Sequence, residues 1–125
     1  MSHNDLDSAR AQYHALRGLI IHHPGGWRDE IALRRIEHIC RSAAEATRDR
    51  ECRQHIGAIE DYSQELYSVA GHLKWARGHT SGADYLRLQI LRELDAFNAR
   101  LSAIEAARDA SAWQRMEPDG DDVRK

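Results

Sequence analysis

Eight histidines and two cysteines carry most of the chemistry this chain could do. They concentrate at one place only, Glu51, Cys52 and His55. On a helix Cys52 lies at i−3 and Glu51 at i−4 from His55, so three potential metal donors face roughly one way. A thiolate with an imidazole suits zinc or a similar transition metal, provided another helix supplies at least one further ligand. The competing reading is plainer and commoner. A lone histidine in an apolar stripe is usually a core side chain with a satisfied hydrogen bond, and a buried cysteine behaves as a small hydrophobe.

The other histidines have ordinary explanations. His22 and His23 end a helix, where partial negative charge favours imidazole donors, and His38 projects from a charged face. His72 and His79 are seven residues apart, but His79 follows Gly78 and falls outside the helical pattern. No glutamate is followed three residues later by histidine, which excludes the paired Glu-x-x-His pattern of di-iron bundles.

Phosphate-binding glycine loops, H-E-x-x-H and G-x-S-x-G are all absent, so no enzyme class is indicated. Cys40 and Cys52, twelve residues apart in helical sequence, fit neither a disulfide scaffold nor a zinc ribbon. Trp27 to Arg53 holds seven arginines but also six acids, a poor phosphate-facing surface, and nucleic acid is not an expected partner.

Three stretches of helical pattern position these residues. Leu6, Ala9, Tyr13, Leu16 and Ile20 form the stripe of a first helix, capped by Asn4 or Asp5 and stopped by His22-His23-Pro24-Gly25-Gly26. Asp29 and Glu30 then open the next stretch. From Arg28 to Arg77 there is no proline, and glycine occurs only at 57 and 71. The first half of this segment carries an apolar stripe through Leu33, Ile36, Ile39, Cys40, Ala43, Ala44 and Thr47. The second half carries another through Cys52, Ile56, Ile59, Tyr62, Leu66, Val69, Ala70 and Leu73.

Extrapolated along one straight helix, these stripes miss each other by about a third of a turn, far more than the ordinary drift per heptad. Either the helix breaks near 47–51, with Asp49 or Thr47 as a new N-cap and Glu51 in the first turn, or one unbroken rod faces two partners. The lack of Gly, Pro and Asn there favours the rod. The phase jump favours the break, which is the arrangement carried forward.

A turn over Gly78–Gly82, with Ser81 and Asp84 as a capping box, leads to a last helix from about Ala83 to Met116. Leu86, Ile90, Leu94, Phe97, Leu101 and Ile104 form its stripe. Leu88, Leu91 and Trp113 lie off that stripe, on the other side of the helix: either they are scattered, partly covered surface residues, or they form a second buried surface and imply a partner. Residues 117–125 read as an acidic, mobile tail after a single domain over 1–116.

The expected fold is therefore all-α: an antiparallel bundle of three or four helices built on the long segment 28–77. An unbroken spine would leave apolar faces for a dimer to complete, whereas a broken one lets a monomer close its own core. With a formal charge of −2, no apolar run able to span a bilayer and no signal peptide, a cytoplasmic protein is expected. The leading functional expectation is a non-enzymatic, self-associating interaction or regulatory protein that meets a protein partner through Leu88, Leu91 and Trp113. A metal- or small-ligand-binding bundle using Glu51, Cys52 and His55 is the alternative.

Overall fold

Helix formation starts at Ser2, whose hydroxyl accepts the Asp5 N–H at 3.1 Å. Helix α1 therefore runs His3–His22, and Asn4 and Asp5, the expected caps, lie inside its first turn. The serine side chain is short enough to fold back on the third residue after it, and Asp5 instead complements the positive end of the helix dipole. The computed structural model describes residues 2–23, 29–68 and 80–123, with side chains over 82–113 of the last stretch. The turns expected at 24–26 and 78–79, and the apolar positions 69, 70 and 73, fall outside it.

Helix α2, Glu30–Ala46, is capped by Asp29, which accepts the Ala32 N–H at 3.1 Å. Asp29 is thus the cap itself rather than a first-turn residue. Helix α3 follows as Arg50–Tyr67, so the long segment is two helices with a break at 47–49. Thr47 leaves the helix in an extended conformation, φ −137° and ψ 142°. Its buried hydroxyl accepts the Asp49 N–H at 3.1 Å. Arg53 donates to the carbonyls of Ala44 and Thr47, each at 2.9 Å, and so satisfies acceptors that the end of α2 would otherwise leave bare. Asp49 caps α3 by accepting the Cys52 N–H at 3.0 Å, with Glu51 in the first turn. This break needs no glycine because side chains supply every partner.

Helix α4, Thr80–Val123, is far the longest and its backbone passes the expected end at Met116. Because it begins at Thr80, Ser81 lies in its first turn and not at a cap.

The four helices pack as a square, each touching two neighbours: α1 with α2 and α4, and α3 with α2 and α4. Cross-helix pairs set the directions. Arg17 meets Asp95 at 3.6 Å and Arg10 meets Glu105 at 3.5 Å, so α4 is antiparallel to α1. His55 meets Glu93 and Asp49 meets Arg100, so α4 is antiparallel to α3 as well. The result is an up-down-up-down bundle around one core, filled by Leu16, Ile36, Ile56, Leu66, Leu94 and Phe97 among others. Most members of the expected stripes are buried, with Ile39, Ala44, Tyr62 and Ile104 half-buried at the stripe edges. Among the described residues no helix is long and apolar enough to cross a membrane.

Closure within one chain follows directly from the break. Turning the spine back at 47–49 lets α2 and α3 each offer their own stripe to the same interior, and the described stripes meet in one core within the chain.

Two helix-interior glycines test this packing. A Cβ built at Gly18 or Gly57 meets nothing within 4 Å. Alanine is preferred over glycine by about 1 kcal/mol per helix-interior site, so Gly18→Ala with Gly57→Ala should raise the unfolding free energy by about 1–2 kcal/mol in urea titration. A lowered midpoint for either single variant would show that the site is not open.

Candidate interaction groove

The break between α2 and α3 also fixes the residues first considered for metal binding. Glu51, Cys52 and His55 all lie on the first turns of α3, but their side chains turn to different partners. His55 Nδ1 is 2.8 Å from Glu93 Oε1 on α4. Glu51 Oε2 approaches Arg100 Nε at 3.8 Å from a mostly exposed position. Cys52 is fully buried, and burial first, then its hydrogen bond to Asp49, pushes the thiol up to about 12. Among the described residues no three His, Cys, Asp or Glu side chains converge on a point that could hold a metal ion.

Cys40 is a similar case. Burial, with Glu60 and Glu37 nearby, raises its thiol to about 12, so both cysteines are protonated at neutral pH and neither is an activated nucleophile. Burial also raises the Glu60 carboxyl, and the Glu37 and Asp61 charges add to the shift.

The strongest electrostatic contact is Asp49 with Arg100. The guanidinium donates from Nε at 3.0 Å and from Nη2 at 2.9 Å to the two carboxylate oxygens, a bidentate fork. That fork, ahead of all other influences, holds the Asp49 carboxyl well below the usual carboxylate range. Its role is architectural: it clamps the start of α3 to α4.

The three apolar positions expected to form an interaction surface are separated. Leu88 is 46% exposed and Trp113 is 64% exposed, whereas Leu91 packs partly against the core. Leu88 and Trp113 stand twenty-five residues apart on one helix, about 38 Å at 1.5 Å per residue. They stand at separate points along the helix, with Leu91 drawn toward the core between them.

A better-formed surface lies between α1 and α2. Ala15 and Leu19 from α1 and Arg34, Arg35, His38 and Ile39 from α2 line a groove of about 490 Å³. Its floor is aliphatic because Leu19 and Ile39 sit at the flanks of their stripes, where antiparallel docking leaves them half-buried. Its rim is cationic. Arg34 and Arg35 are exposed and make no hydrogen bond or ion pair with any described residue. Ile31, 74% exposed and one turn before Arg34 and Arg35, extends the apolar strip along α2.

In the sequence, His38 stands on a charged face, and nothing local singles out Arg34 or Arg35 beside it. The available signal was the closeness of Ile31 and Ile39 to that face, since two large aliphatics beside a pair of arginines are not an ordinary solvated surface. Compared with known proteins, the chain matches no family model, no curated protein and no solved structure.

Proposed function

We propose that this is a non-enzymatic, self-associating interaction protein that binds polypeptide in the groove between α1 and α2. The ligand class is an acidic amphipathic segment. One aliphatic or aromatic side chain would fill the floor over Leu19 and Ile39, and carboxylates would meet Arg34 and Arg35. The supporting observation is the pairing of an aliphatic floor with two arginines that have no partner among the described residues. Arginine at the rim of an apolar cleft is a productive anchor for carboxylates, because a guanidinium binds them through two parallel hydrogen bonds. The buried anchor would supply most of the affinity and the rim charges most of the selectivity.

Selection from a random peptide library tests this. Enriched sequences should combine an aromatic or large aliphatic residue with two or more acids. The double variant Arg34→Glu, Arg35→Glu should bind those peptides at least about tenfold more weakly, equivalent to about 1.4 kcal/mol, while keeping the wild-type helical circular dichroism. Failure to enrich acidic sequences, or binding indifferent to Arg34 and Arg35, would remove the proposal.

A further inference from the structure

The groove and the stretch of sequence that follows Arg108 have complementary chemistry. The first turn of α1 meets α4 at Arg108, where Nη2 lies 3.2 Å from His3 Nδ1. Since α4 is antiparallel to α1, every residue after Arg108 extends beyond the end of α1. Trp113, on that overhang, is 64% exposed and is the largest apolar side chain the described surface offers. The sequence then continues with Glu117, Asp119, Asp121 and Asp122, four acids in six residues. An aromatic anchor followed by carboxylates is the ligand that the α1–α2 groove fits.

The chain cannot place this segment in its own groove while α4 remains helical. Arg17, beside the groove residues Ala15 and Leu19, is level with Asp95. Trp113 lies eighteen residues further along α4, about 27 Å away at 1.5 Å per residue and pointing off the end of the bundle. A second molecule meets no such restriction.

We infer that the groove takes the C-terminal segment of a second copy of this chain, with Trp113 on the Leu19–Ile39 floor and the acids of 117–122 on Arg34 and Arg35. The inference rests on the groove reading above and names its occupant. Donor and acceptor are different surfaces, so the contact is heterologous, and copies join head to tail unless two exchange segments reciprocally. This differs from the dimer expected for an unbroken spine, which would have shared a core. Here the core is closed, and association uses only surface side chains.

Sedimentation velocity on the full-length chain separates the outcomes. Wild type should self-associate at about 0.1 mM or below, in the range of modest peptide-like affinities. A groove variant, Arg34→Glu with Arg35→Glu, and a segment variant, Trp113→Ala with Glu117→Lys and Asp119→Lys, should each sediment as monomers with unchanged circular dichroism. Mixed, they should form a one-to-one complex, because the first keeps its segment and the second keeps its groove. A monomeric wild type, variants that associate as wild type does, or a mixture that stays monomeric would each overturn the inference. Acidic peptides that still bind a monomeric wild type would leave the groove reading standing and refute the occupant alone.

Discussion

Asp49→Ala should lower the unfolding free energy by about 2–3 kcal/mol at pH 7, combining a lost helix cap of about 1 kcal/mol with a lost charge-assisted fork. The carboxylate performs two tasks at once. One oxygen accepts the Cys52 N–H and so starts α3, and both oxygens accept from Arg100 and so hold α3 to α4. Asp49→Asn separates the tasks, because asparagine still caps a helix but cannot anchor the fork as an anion. It should recover about 1 kcal/mol of the stability lost in Asp49→Ala. The pH dependence has a definite sign. The Asp49 carboxyl titrates well below its ordinary value in the folded protein, so between that folded value and the unfolded value of about 3.9 the unfolded chain binds more protons. Stability from this group is complete above about pH 4 and is lost as pH falls through the folded value. Urea titrations of wild type and Asp49→Ala should therefore converge on acidification from pH 7 to about pH 3. A difference that stays constant across that range would show that Asp49 and Arg100 do not interact as described.

How much of this was legible in the sequence depends on whether a feature is local. The break at 47–49 was readable because stripe phase is a property of consecutive residues. The jump between Thr47 and Cys52 outweighed the absence of glycine and proline, and Asp49 and Glu51 took the cap and first-turn roles that their chemistry suggests. Ser2 was missed as a cap because three capping residue types stand within four positions, at 2, 4 and 5, and only backbone geometry chooses among them. On α3, Ser63 and Tyr67 are fully buried while Tyr62 is only half-buried. A helix in a square bundle packs against two neighbours, so its buried sector is wider than a single stripe, and small or amphipathic residues enter it. Ser63 Oγ has no hydrogen-bond partner among the described residues, which hydropathy alone would not anticipate. Arg100 with Asp49, and Arg34 beside Leu19, join residues distant in sequence. Such pairs depend on how whole helices dock, and no local pattern encodes them.

Tyr67→Ala should cost about 3–5 kcal/mol, the usual range for emptying a buried aromatic site, a large share of the roughly 5–15 kcal/mol that stabilises a domain of this kind. Tyr67 closes the end of the bundle where α1 passes into α2. Its ring is fully buried, its hydroxyl donates to the His23 carbonyl, and its own carbonyl accepts the Asp29 N–H at 3.1 Å. One residue on the last turn of α3 thus holds both sides of the α1–α2 junction, and the His23 ring reinforces that junction through Asp29 at 2.9 Å. Burial raises the Tyr67 hydroxyl above its ordinary value, so it stays protonated and remains a donor throughout the physiological range. Tyr67→Phe isolates the hydrogen bond from the packing. It keeps the ring and leaves the His23 carbonyl without this donor, at a cost of about 1–2 kcal/mol. Because α1 and α2 also form the groove, the same variant should speed amide exchange at Asp29 and weaken peptide binding without altering any groove side chain. If Tyr67→Phe matches wild type in urea midpoint and in Asp29 exchange, the ring alone holds this end together and the hydroxyl contributes nothing to the junction.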